Sequence, residues 1–217
     1  MKNIALTIIT ATLLSLCSCD SSGDYLEDGG LSNPEVGMST VEFFRSHDQL
    51  DTLAILIDRA GMEELFNSQN TVFAPNNLSI RNYVNEILTE MRKEDPQAEF
   101  TVNDIPVDTL TTYLGSYVFE EKITRENMTK EQGRIYTAAN GEERRISLEP
   151  TGAYEDQLDS RPEYVYITYK NGEEWNDWDD TNSDDDKFAV KTSNLISTNG
   201  IIHVLQGEHT LFNYESD

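Results

Sequence analysis

The sequence predicts an α+β fold: N-terminal helices packed on a compact, sandwich-like sheet region. Three observations carry this. Apolar residues between Leu50 and Met91 recur at helical spacing. Beyond Gln132 the hydrophobic period falls to two. Asn-Gly pairs at 140–141, 171–172 and 199–200 then punctuate the second half as tight turns do.

The elements follow in order. Ser39-Thr40-Val41-Glu42 offers a capping residue for a short helix bearing Phe43 and Phe44. A second helix opens near Asp48 and sets Leu50, Leu53, Ala54 and Ile57 on one face, with Gly61 suited to its end. Met62 to Phe66 is a further helical turn or two. Thr71 to Ala74 is a β-type run that must stop at Pro75, which cannot donate to a ladder. Asn76 or Asn77 caps the next helix, expected from Leu78 to Arg92 with Ile80, Tyr83, Val84, Ile87, Leu88 and Met91 on its apolar face. A connector, Thr101 to Pro106, leads to a helix from Val107 to Ser116, and Tyr117-Val118-Phe119 turns toward a strand. Lys122 to Lys130 is a loop or a helical turn. Strands are expected at Arg134–Ala138, Arg144–Leu148, Tyr164–Tyr169, Lys187–Lys191, Asn194–Thr198 and Ile201–Leu205.

The charge balance is extreme: 40 acidic against 16 basic residues, a formal charge of -24 over 217 residues. Such a surface repels phosphate backbones, so no nucleic-acid partner is expected. It also resists an anionic membrane, so attachment needs a covalent or apolar anchor. Lys2 followed by an apolar run from Ile4 to Leu16 has the form of a secretory leader, too short for a comfortable span. Leu16-Cys17-Ser18-Cys19 resembles a bacterial lipobox, which implies cleavage after residue 18 and lipidation of Cys19. Several acyl chains give stable anchoring. The segments expected are a signal peptide over 1–18, an acidic flexible tether over 19–38 and a folded domain over 39–217. The acidic stretch after Cys19 also resembles the signal that sends lipoproteins to the outer face of the outer membrane, and a periplasm-facing orientation is the alternative.

Three motifs in order resemble the fasciclin-like domain family. Its strand of the type T-V-F-A-P-T/N-N/D corresponds to Thr71–Asn77, its mid-domain L-x-x-Y-H-V-V to Leu110–Val118, and its closing S/T-N-G-V-I-H-V-I-D to Ser197–Gln206. The resemblance covers about Ser39 to Tyr214 and implies a fasciclin-like fold, adhesion or protein–protein contact, no cofactor and no catalysis. Two departures stand out. The tyrosine–histidine pair implicated in adhesive contacts keeps Tyr113 but has Leu114 in place of histidine. An acidic insertion, about 149–187, lengthens the usual strand connection.

The residues themselves point the same way. No serine elbow, phosphate loop or zinc spacing occurs, and His47 and Ser79 lack visible triad partners. His203, in an apolar strand, is expected to be structural. Asp177, Asp179, Asp180, Asn182, Asp184, Asp185 and Asp186 offer oxygen atoms of the kind calcium takes, but without the glycine and closing glutamate of an EF-hand loop a solvated loop is expected. Trp175 and Trp178, near Tyr164, Tyr166 and Tyr169, offer faces on which sugars stack, or else fold back on the sheet. The candidate binding surface is therefore Tyr113, Tyr117, Trp175 and Trp178, for a protein partner or an extracellular glycan. A hydrolase with an unrecognised site is the remaining class; it needs clustered groups of perturbed pKa in a cleft.

Overall fold

The computed structural model describes residues 33–130, 132–151, 161–178 and 183–214. The expected leader, Cys19 and most of the expected tether lie outside the described residues. The helices are α1 (Thr40–Ser46), α2 (Asp51–Ala60), α3 (Glu63–Phe66), α4 (Asn77–Glu94) and α5 (Val107–Tyr113), with one strand between α3 and α4. The strands are β1 (Asn70–Ala74), β2 (Val118–Phe119), β3 (Arg134–Thr137), β4 (Glu143–Pro150), β5 (Glu163–Tyr169), β6 (Asp186–Ile196) and β7 (Gly200–Leu205). Among the described residues they form one seven-stranded sheet, ordered β2-β1-β7-β6-β5-β4-β3.

Each neighbouring pair is antiparallel except β1 and β7, which run parallel. The first and last motifs of the sequence are therefore adjacent strands, with Thr71 opposite Ile201 and Phe73 opposite His203. Both strands are buried, as a parallel pair under helices must be. Phe73 stacks on the His203 ring with centroids 4.6 Å apart. His203 Nε2–H donates to the Ile123 carbonyl at 2.9 Å, which fixes the neutral tautomer. Burial pushes its pKa down to about 4. The expected structural histidine is what the geometry places here.

The rest of the opening motif is consumed by the scaffold. Thr71 Oγ1 accepts from Ile123 N–H and donates to the Glu121 carbonyl. Asn76 accepts from the N–H groups of Leu78 and Ser79, capping α4, and donates to the Leu205 carbonyl at the end of β7. Asn77 accepts from Thr52 N–H, capping α2, which has no cap of its own at Leu50. At the other end, Asn199 accepts from Thr40 N–H and donates to Ser68 O, so the β6–β7 turn holds the start of α1.

The sheet is barrel-like rather than a two-layer sandwich. β6 pairs with β5 through Asp186–Ala189 and with β7 from Val190 onward, with register shifts around Thr192. Such irregularities bend a strand and let the sheet turn. Its two edges then meet: Ala139 N–H, just past β3, donates to the Val118 carbonyl of β2 at 2.8 Å. Phe119 and Tyr136 pack edge to face across that junction. Phe44, Leu53, Ile57, Phe66, Phe73, Phe119 and Ile202 belong to one core cluster. Each such side chain contributes about 1.5–3 kcal/mol relative to exposure.

Two segment boundaries differ from expectation, and the strands expected at Lys187–Lys191 and Asn194–Thr198 are one strand, β6. Bonded chain begins before Ser39, because Pro34 O and Val36 N–H join the outer side of β6 at Ile196, and Met38 O accepts from Thr198 just beyond it. That half of β6 is not paired with β5 and would otherwise be a bare edge. The span expected as an acidic insertion, 149–187, contains β5 as a full sheet strand. Among the described residues, 151, 161–162, 170–178 and 183–185 on either side of it lie outside the strands.

Candidate functional site

A cleft forms where β4, β5 and the chain after β7 converge. β4 alternates, so Arg144, Ile146 and Leu148 share the core face while Arg145 faces outward. Arg144 is only 6% exposed, and its guanidinium lies over the Tyr169 ring at 4.1 Å. Its Nη1 donates to the Glu143 carbonyl at 2.7 Å and its Nη2 to the Glu142 carboxylate. Its Nε has no partner among the described residues. Phe212 and Asn213 form the opposite lip of the cavity, which measures about 540 Å³.

Beneath Arg144 lies a buried polar cluster. The Tyr169 and Tyr117 hydroxyls face His209 Nε2 at 3.1 Å and 3.4 Å. The Tyr117 oxygen also accepts from Phe212 N–H at 2.6 Å. That bond helps hold Phe212 at φ 65, in the left-handed region that a bulky residue seldom adopts; Asn213 follows at φ 51, which asparagine tolerates better. Burial raises the Tyr117 hydroxyl well above its ordinary range, with Tyr169 adding to the effect. Burial pushes Tyr169 up to about 12, against the opposing charge of Arg144. Burial, then Arg144, pushes His209 down to about 3. The shifts keep all three uncharged at neutral pH. The cluster can orient and bind.

The predicted site residues fall in two places. Tyr113, at the end of α5, is 43% exposed and packs on Phe212 with centroids 5.6 Å apart, so it extends the lip of the cleft. Tyr117 was expected on the same surface and is instead fully buried in the cluster below. The L-x-x-Y spacing occurs twice here, at Leu110–Tyr113 and at Leu114–Tyr117. Only the second runs straight into a strand, β2, and it is followed by Val118. On either placement the histidine is absent.

Trp175 and Trp178 lie together on the outer sheet face, half-buried. The Arg145 guanidinium sits 4.7 Å from the Trp175 ring and 6.0 Å from that of Trp178. Lys187 Nζ lies 5.2 Å from Trp178 and 5.1 Å from Tyr166. Trp175 Nε1–H donates to Glu143. Cation–π contacts of about 0.5–2 kcal/mol each hold the indoles on the sheet. Asp185 accepts from the N–H groups of Asn171 and Asn176 and so orders its own loop. Asp179, Asp180 and Asn182 lie outside the described residues. No His, Cys, Asp and Glu group suited to a metal ion occurs among the described residues.

Arg144, His209 and Phe212 are not singled out by the sequence, and Tyr169, expected beside the tryptophans as a stacking face, is instead buried beneath Arg144. The parity of Arg144 with Ile146 and Leu148 was the available signal; His209 lies outside any periodic segment and offered none.

Comparison with known proteins gives a family. The Fasciclin domain model matches residues 48–207. Among solved structures, a FAS1 domain pair from the insect cell adhesion molecule Fasciclin I is similar, at 13% identity and a TM-score of 0.49. The similarity covers 80% of this chain and 50% of that one, so this chain spans about half the length of the domain pair. No curated protein matches.

Proposed function

The chain belongs to the fasciclin-domain family, and from that premise we propose that it is a lipid-anchored cell-envelope protein whose domain holds a protein partner at the cleft of Tyr113, Phe212 and Arg144. In its homologues the fasciclin domain is associated with adhesion or protein interaction, and such domains are generally non-enzymatic. The observation that carries the reading is the cleft itself: exposed Tyr113 packed on Phe212 beside a buried arginine. Tyrosine and arginine at a desolvated centre are the residues on which binding energy concentrates. Cross-linking in intact cells tests it. A protein adduct should form with the native chain and fall at least tenfold with Tyr113→Asp; an adduct unchanged by that substitution contradicts the site.

Anchoring is proposed through Cys19, at the outer membrane and facing the cell surface. Cys19→Ser should move the chain from the membrane fraction to the soluble fraction. Retention of the variant on the membrane would remove the lipid anchor from the account.

A second reading has its own observation. Trp175 and Trp178 lie side by side on one face with Tyr166, an arrangement that suits an accessory glycan-binding lipoprotein of a polysaccharide-uptake system. The cations against the indoles leave fewer free faces for stacking, which ranks this reading second. Glycan-array binding that disappears with Trp175→Ala and Trp178→Ala would reverse the ranking.

A further inference from the structure

The guanidinium of Arg144 is a half-used fork. Its Nη2 is occupied by Glu142, its neighbour but one in the chain, while Nε on the same edge has no partner among the described residues. A carboxylate that binds arginine well takes both donors of one edge in parallel. Glu142 holds only one of them. A buried donor without an acceptor is unfavourable, and an entering carboxylate would supply one.

The surroundings suit that entry. The Tyr169 ring against the guanidinium and the Nη1 bond to Glu143 O fix its plane before anything binds. Glu142 is 39% exposed, so it can swing into water when displaced. The Lys170 ammonium lies in the same cavity, near Glu143, and adds a second positive charge at the entrance. Across the cavity the lip is held in left-handed backbone, strained at Phe212 in the way found at ligand clamps.

We propose that this cavity takes the side-chain carboxylate of an aspartate or glutamate on the partner protein, bound to Nε and Nη2 of Arg144 with Glu142 displaced. The proposal rests on the protein-binding reading above and gives its partner a chemistry. Glu142 then acts as an internal competitor, which leads to an expectation that an ordinary structural ion pair does not share: removing its charge should improve binding.

The probe is N-acetylglutamate amide, titrated into the folded protein and followed by NMR of the arginine Nε–H and by calorimetry. Saturable millimolar binding is expected for the native chain. With Glu142→Gln the affinity should rise about 3–10-fold, and with Arg144→Lys it should fall at least about tenfold, since lysine offers a point charge and no fork. N-acetylglutamine amide should not bind either folded protein. If Arg144→Lys does not fold, the Glu142→Gln and glutamine-probe arms decide alone. Equal affinity in the native and Glu142→Gln proteins, or binding of the glutamine probe, overturns the proposal. Because no partner protein is used, a negative result here leaves the cross-linking test at Tyr113 standing.

Discussion

Gly200 shows how narrowly single residues are fixed in this fold. A Cβ there would lie 2.5 Å from the Asn70 carbonyl of the adjacent parallel strand. The obstacle is backbone, so neither strand can give way locally. Overpacking a core costs about 1–3 kcal/mol, and Gly200→Ala should cost about 3 kcal/mol in urea unfolding. A loss under about 1 kcal/mol would show that the β1–β7 register is wrong. The two buried histidines give a pH signature. His203 and His209 have folded pKa values of about 4 and about 3, below the ordinary 6.5, because burial disfavours the charged ring. The fold therefore holds the neutral form. That stability is fully present above pH 6.5 and is lost as pH falls toward 4 and then 3. Each ring steepens the acid limb by up to about 1.4 kcal/mol per pH unit. Urea midpoints flat between pH 7 and 5 would contradict their burial.

At the scale of elements, the connection between β5 and β6 is separable. Tyr169 sits opposite Asp186, so the two ends are already paired across the sheet. Replacing residues 170–185 by Asn-Gly should close a tight hairpin there. Lost cation–π contacts cost about 0.5–2 kcal/mol each, and the shorter loop returns about 1–2 kcal/mol of closure entropy. Stability should stay within about 2 kcal/mol with the native circular dichroism retained. A chain that no longer folds would mean the acidic segment is part of the scaffold. Local pattern explains what could be foreseen among elements. The 3.6-residue rhythm gave α4, expected over 78–92 and found over Asn77–Glu94; alternation gave β3, the Asn140-Gly141 turn gave β4, and aromatic and β-branched content gave β5. The joining of β2 to the β3–β4 hairpin could not be foreseen, because it depends on the long-range bond from Ala139 to Val118. The cleft was half legible for the same reason. Tyr113 carries a motif and an exposed position. Arg144 announces itself only once its strand's inward face is known, and His209 only once Tyr117 and Tyr169 are brought to it from distant segments.

For the whole molecule, the motif pair that identifies the family and the surface that would do its work are different parts. Thr71–Asn77 and Ser197–Gln206 hold strands, caps and turns together and leave little of themselves for a partner. The partner's place is proposed elsewhere, at the cleft of Phe212 and Arg144 with Tyr113 packed on its lip. On a chain of formal charge -24, Arg144 is a cation held inside the domain with a donor to spare. The direct measurement is site-specific photo-cross-linking in intact cells, with a photoreactive side chain placed at position 113 in one strain and at position 178 in another. A defined protein adduct from position 113, absent from position 178, is the predicted result. An adduct from position 178 alone, or none from position 113 while the domain remains folded on the envelope, would contradict the assignment of function to this cleft.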